Sequence, residues 1–293
     1  MNRPSRYFLE IAYDGSKYHG WQVQPNAATV QEVLEKALSI YFRQPIATVG
    51  CGRTDTGVHA KQFYLHFDLE GRDELSAISH QQSAISGQPS AISHQSTAIS
   101  SQLSAMSQQQ SAISHQHVTN GINALLPFEI AVKRMIAVNE GAHARFDATL
   151  RSYEYHVHFM KDPFKHGFSW LLRDVPDVAA MNQAAVQLAD FRDFSCFSKS
   201  NTQVFTNNCT VSKAEWLWRD DSLVFYISAD RFLRNMVRAV VGTLMEIGRG
   251  KISPLAIRGI IESKNRSNAG ASVPACGLYL TAVEYPYITH VNN

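Results

Sequence analysis

One acidic side chain stands where chemistry could be done. Asp55 lies inside Gly50-Cys51-Gly52-Arg53-Thr54-Asp55-Thr56-Gly57-Val58-His59-Ala60. This loop directly follows a strand-like run. Its glycines permit unusual backbone angles and close approach of a substrate. Arg53, two residues earlier, is placed to keep a carboxylate ionised or to hold a phosphate. Other loop chemistries fit less well. No Lys-Ser/Thr follows the glycines as in a phosphate-binding loop, and no third glycine comes at dinucleotide-binding spacing. Asp55-Thr56-Gly57 is also the tripeptide of aspartic proteases, whose chemistry needs two carboxylates sharing a proton. The chain has one such tripeptide, so a protease would need a symmetric dimer, and Arg53 would oppose the shared proton. A purely structural turn is the plainest alternative, and eleven residues of this kind together speak against it.

The elements that must position this loop can be read from periodicity. Arg6 to Tyr13 alternates like a strand and turns at Asp14-Gly15. Thr29 to Glu32 fits a capping box opening a helix to about Phe42, with Pro45 beyond it. Ile46 to Gly50 reads as a strand, Gly52 to Gly57 as a loop, and Gln62 to Leu69 as a strand. Val118 to Leu125 is expected to be helical, and Ile130 to Val138 and Ser152 to Phe159 extended. Further on, Val178 to Leu188 reads as a helix, and Val211 to Trp218 and Leu223 to Ser228 as strands about an Asp-Asp turn. Arg231 to Ile247 reads as one long helix with Phe232, Met236, Val240, Thr243 and Leu244 on a face. A helix over Leu255 to Glu262 and a strand over Leu278 to Tyr285 close the chain. This pattern predicts an α+β fold with a largely antiparallel sheet. Two halves of similar content are expected, 1–140 carrying the Asp55 loop and 141–293, with a cleft between them.

Composition narrows the function classes. The 293 residues are 45% hydrophobic, enough for a sizeable core and against global disorder. No apolar run reaches the roughly 18 to 20 residues that cross a bilayer. The first residues lead straight into a strand pattern unlike a signal peptide. Cys51, Cys196, Cys209 and Cys276 are scattered, with no paired spacing for zinc or a disulfide scaffold. A reduced, cytoplasmic, soluble protein is the expectation. Net charge is only +2, but Arg supplies 17 of the 27 cations. Arg suits bidentate phosphate contact and stacking on bases; genomic base composition would produce the same bias.

Residues 76 to 117 are six tandem heptads of the SAISHQQ type without one Asp, Glu, Lys or Arg. Ala and Ile are adjacent in each heptad, so no coiled-coil seam forms. Apolar side chains are too sparse to offset the entropy of ordering. Four of the chain's histidines lie here, irregularly spaced and with no carboxylate or Cys beside them, a poor metal site. The segment reads as a disordered expansion in a surface loop.

The residues around Asp55 carry a resemblance. Gly52 to Ala60, GRTDTGVHA, resembles the signature of the tRNA pseudouridine synthase A family. Tyr13 to Gln22, YDGSKYHGWQ, is similar to the family's N-terminal motif. Asn123, Leu126, Pro127, Ile130 and Ala131 resemble a further segment, as do His143-Ala144-Arg145-Phe146 and Arg151-Ser152-Tyr153-Glu154-Tyr155. Phe232 to Arg238 with Val241-Gly242, and Gly277 to Leu280, complete the set in family order. The resemblance fails across the repeat, and Asn201 to Asn208 is uncharged where many members carry Arg.

The resemblance implies isomerisation of uridine to pseudouridine at positions 38 to 40 of the tRNA anticodon stem-loop, with no cofactor and no metal. It implies Asp55 as nucleophile or base, Arg238 as its buried cation, and Tyr153 stacking on a flipped base and handling the C5 proton. Arg53 is implied to help flip the base and Leu278 to close the apolar side of the pocket. Lys17, Arg145 and Arg151 are expected RNA contacts, with Arg231 and Arg234 also candidates. A homodimer gripping one tRNA is implied. An RNA-binding protein of the same fold with dead chemistry is the other class; it should have lost Asp55, Tyr153 or Arg238, and all three are present.

Overall fold

A computed structural model of the chain describes residues 5–70, 116–199 and 206–288. The heptads lie outside the described residues except for Gln116 and His117, as do residues 201–205 of the uncharged segment.

Strand β1 (Ser5–Tyr13) leads to helix α1 (Val30–Phe42). Thr29 caps this helix by accepting the Glu32 N–H at 3.3 Å, and Arg43 ends it at φ 55. The predicted Ile46–Gly50 strand shortens to β2 (Val49–Gly50). Strand β3 (His59–Leu69) starts three residues earlier than expected, right after the Asp55 loop. Helix α2 covers residues 116–123 of the described chain, followed by β4 (Ile130–Ala137), β5 (Leu150–His158) and β6 (Trp170–Leu171). Helix α3 (Val178–Ala185), the hairpin of β7 (Val211–Arg219) and β8 (Ser222–Ala229), helices α4 (Met236–Gly248) and α5 (Ala256–Glu262), and β9 (Leu278–Glu284) complete the chain.

The nine strands form one mixed sheet in the order β4-β1-β3-β9-β5-β8-β7, with β2 on β3 and β6 on β5. Every pairing is antiparallel except β3–β9 and β5–β6. The last strand therefore lies between β3 and β5, with Ala60 opposite Leu280 on one side and Tyr153 opposite Leu280 on the other. This pairing spans more than two hundred residues, and no local pattern signals it. Two apolar clusters pack on the sheet. One gathers Phe8, Leu9, Trp21, Leu34 and Phe63; the other gathers Tyr155, Phe194, Trp216, Phe225 and Leu244. Each fully buried Phe or Leu side chain contributes about 2 to 3 kcal/mol by leaving water.

The expected long helix from Arg231 is corrected. Residues 231–235 are not helical, and α4 starts at Met236 because Asn235 takes a left-handed φ of 66. An Asn adopts that conformation by local hydrogen bonding of its side chain; here its Nδ2 donates to Ser272 Oγ at 2.6 Å. Along α4 only Arg238 and Glu246 escape burial. No helix among the described residues is long and apolar enough to cross a membrane.

Candidate active site

The N-terminal motif wraps the Asp55 loop. Tyr13 at the end of β1 shares a 2.9 Å hydrogen bond with Thr54 Oγ1. The backbone N–H of Trp21 donates to Thr54 O, Gly57 N–H to Tyr18 O, and Cys51 N–H to Tyr64 O of β3. Gly15 N–H donates to Nδ1 of His59 at 3.1 Å. The same Nδ1 stands 3.0 Å from Asp14 Oδ1, and burial pushes His59 below its ordinary range against the opposing pull of that carboxylate. Two glycines make this wrapping possible. A Cβ on Gly15 would stand 1.9 Å from Val58 O, and Gly20, at φ 87, would place one 2.3 Å from Thr54 O. The YDG and GWQ residues thus hold the Asp55 loop through backbone contacts at Gly15, Tyr18 and Trp21 and through the Tyr13 hydroxyl.

Two cations face Asp55 from the turn before α4 and its first residues. Arg238 Nη1 lies 3.8 Å from Oδ2, and Arg234 Nε lies 3.8 Å from Oδ1. Both distances are ion-pair range and longer than hydrogen bonds. The pairing is also less buried than the sequence suggests, with side chains 28% exposed for Asp55, 21% for Arg238 and 58% for Arg234. Arg238 is held from behind. Its Nε donates to Val273 O at 2.7 Å, and its own carbonyl accepts the Val273 N–H. Arg234 beside Asp55 was the unexpected partner. Its sequence signal was its position four before Arg238, but a continuous helix would have set both on one face; the break at Asn235 aims them at opposite oxygens of one carboxylate.

Tyr153 stands on β5, half-buried, where the two apolar clusters meet. Phe232 presses edge-on against its ring at 5.0 Å and 86°. Burial raises the Tyr153 hydroxyl well above the phenol range, and Cys51 and Asp55 add to this, so phenol and carboxylate share one field. Burial also pushes the Cys51 thiol up to about 11, which keeps it protonated at neutral pH. Leu278 opens β9, buried opposite Tyr155.

The remaining predicted residues divide sharply. Arg53 and Arg145 are exposed, and Arg145 lies over the exposed Phe146 ring at 5.7 Å. Burial, then the charges of Arg53, Arg151 and Arg231, lower the Arg145 guanidinium. Lys17 is largely exposed and pairs with Glu129. Arg151 instead turns inward to four backbone carbonyls, of Ala148, Asp230, Cys51 and Arg145. Among the described residues there is no group of three or more His, Cys, Asp or Glu able to hold a metal ion. The set therefore comprises one fixed carboxylate, two opposed cations, a buried phenol and an uncompensated basic rim. It can hold a polyanion and carry acid–base or nucleophilic chemistry at a sugar.

The tRNA pseudouridine synthase family matches residues 184–286. The chain is 42% identical over 282 residues to a Bacteroides fragilis protein named tRNA pseudouridine synthase A, covering 96% of each. It is 43% identical over 281 residues to the Parabacteroides distasonis protein of that name, again covering 96% of each. Against the Bacillus subtilis protein of that name the identity is 35% over 279 residues, covering 94% of this chain and 97% of the relative. The chain belongs to the tRNA pseudouridine synthase A family.

Proposed function

We propose, with that membership as the premise, that the chain converts uridine to pseudouridine at positions 38 to 40 of the tRNA anticodon stem-loop in the cytoplasm, without cofactor or metal. The observation that carries this reading is Asp55, fixed by the wrapped loop and bracketed at 3.8 Å by Arg234 and Arg238. The reaction breaks N1–C1′, turns the uracil, joins C5 to C1′, and returns a proton to N1 as C5 loses one. Asp55 serves as nucleophile or base toward the sugar, with the two guanidinium groups at ion-pair range of its two oxygens and the carboxylate itself partly exposed.

Tyr153 stacks on the extruded base with its half-buried ring, which Phe232 packs edge-on. Its raised hydroxyl stays protonated, so it can donate to the uracil and take the C5 proton only as its own proton passes to the ring in the same step. Leu278 supports the apolar wall. Arg53 helps extrude the base, and Arg145 and Lys17 contact RNA. The two halves, 1–140 and 141–293, meet along β9, and a homodimer holds one tRNA across both copies.

The test is release of tritium from tRNA carrying C5-labelled uridine, followed by mapping of the product. Release in step with pseudouridine at positions 38 to 40 is the expected result. Absence of release, or product elsewhere in the tRNA, overturns the reading.

A further inference from the structure

Arg151 holds three separate segments at once. Its Nη1 donates to Ala148 O and to Asp230 O at 2.8 Å; its Nη2 donates to Cys51 O at 2.9 Å and to Arg145 O at 2.7 Å. Four bonds match the four N–H groups of its two terminal nitrogens, so its fork is already full. A phosphate ligand needs that fork free. Each segment it binds carries an arginine within two residues of the bound carbonyl, exposed at Arg53 and Arg145 and half-buried at Arg231. Arg145 is itself one of them, Arg231 follows Asp230, and Arg53 lies two residues after Cys51.

The segments are pinned from other sides as well. Asp230 Oδ1 accepts the Arg231 and Thr210 N–H groups at 2.7 Å. Nδ1 of His143 accepts the Arg145 N–H at 3.1 Å and the Phe146 N–H at 3.3 Å. Among the described residues no carboxylate side chain forms an ion pair with Arg53, Arg145 or Arg231, and the charges of Arg53 and Arg231 both reach Arg145. Three guanidinium groups carried on pinned segments, none of them ion-paired to a carboxylate side chain, suit a polyanion.

We propose that Arg151 is a positioning residue that organises Arg53, Arg145 and Arg231 into one cradle for adjacent RNA phosphodiesters beside Asp55. The proposal rests on the tRNA substrate proposed above and reassigns Arg151 from RNA contact to scaffold. The cradle binds the backbone without reading sequence, which suits an enzyme that must hold a stem-loop while neighbouring uridines are presented in turn.

The experiment measures tRNA affinity against salt concentration for the full chain and for single variants, each checked for folding by circular dichroism and melting. Arg145→Ala and Arg231→Ala should each reduce the log–log salt slope by about 0.7 to 0.9. Arg53→Lys, Arg145→Lys and Arg231→Lys should retain most affinity, because a phosphate accepts any nearby cation. Arg151→Lys keeps the charge but cannot span four carbonyls, so it should weaken binding by about tenfold or more as several contacts loosen together. Wild-type affinity and slope in a folded Arg151→Lys protein overturn the positioning role. If Arg151→Lys does not fold, the alanine variants decide, and unchanged slopes in both overturn the cradle. Pseudouridine formation by the wild-type chain is scored separately. Its absence defeats the proposed function while the slopes still report on the cradle; its presence with unchanged slopes defeats the cradle alone.

Discussion

The two walls that face each other across Asp55 are built in opposite ways. The wall of residues 51–58 is backbone laced to backbone: Thr54 O, Gly57 N–H, Cys51 N–H and the Thr54 hydroxyl are all engaged by β1, β3 or the turn between β1 and α1. Gly15 and Gly20 lie so close to it that a methyl group would collide. The wall of residues 231–238 presents long side chains from an irregular turn, with Arg238 anchored through Val273 and Arg234 more than half exposed. A fixed carboxylate facing adjustable cations places the rigidity on the group that must meet one sugar carbon. The flexibility falls where charge has to follow the substrate as it enters and leaves.

The largest effect should come from the carboxylate. Asp55→Asn is expected to abolish pseudouridine formation while tRNA affinity stays within about tenfold, near 1.4 kcal/mol, because affinity rests on phosphate contacts. Measurable turnover by that variant would remove Asp55 from the chemistry. Next is the backbone lacing. Gly15→Ala should cost about 3 kcal/mol or more and take activity with it, whereas Gly52→Ala, with nothing within 4 Å of the added methyl, should stay within about 0.5 kcal/mol. Equal melting temperatures for the two would mean that the loop is not held by close approach.

The cation wall should respond by degrees. Arg238→Ala is expected to lower kcat/KM by about 10² to 10³-fold, and Arg234→Ala by about tenfold, since the more exposed charge acts through more water. The reverse order in steady-state kinetics would show that anchoring through Val273 is not what matters. Tyr153→Phe keeps the stacking ring and loses the hydroxyl; a fall of about 10²-fold in kcat with KM unchanged is expected for a proton-handling phenol. Wild-type kcat would leave the ring alone with a role.

The smallest effect concerns pH. Burial, then the charges of Arg6 and His143, hold His66 at about 4, and its Nδ1 accepts the Ala144 N–H behind the Arg145 turn. An unfolded His titrates near 6.5, so below that pH the unfolded chain takes up a proton that the folded chain refuses. The stability contributed by keeping His66 neutral should therefore be lost progressively as pH drops from about 6.5 to 4. His66→Asn retains an acceptor and should flatten that window in urea titrations at several pH values. An unchanged slope would mean that His66 is not the group responsible.

Local signals carried much of this molecule. Thr29 and Glu32 marked the start of α1, alternation marked β1, β4 and β5, and Gly50 to Ala60 marked the loop that holds Asp55. Arg238 was legible only through its place in the Phe232 to Arg238 run that resembles the family's motif. Such features depend on a few neighbouring residues whose spacing repeats a backbone period or supplies a cap. Asn235 was read through because apolar spacing continues across it, while its left-handed φ depends on Ser272 from a distant segment. Arg151 was read as a phosphate ligand because an exposed and an inward arginine look alike in a string of letters. The order β3-β9-β5 brings Cys51, and the β5–β8 pairing brings Asp230, within reach of the guanidinium that already holds nearby Arg145. The sequence by itself determined which elements form and which carboxylate is presented. Tertiary structure decided which cations face it and which are spent on backbone, because those partners lie 100 residues apart for Arg151 and Cys51, and farther still for Asp55 and Arg238, and meet only once the sheet is assembled.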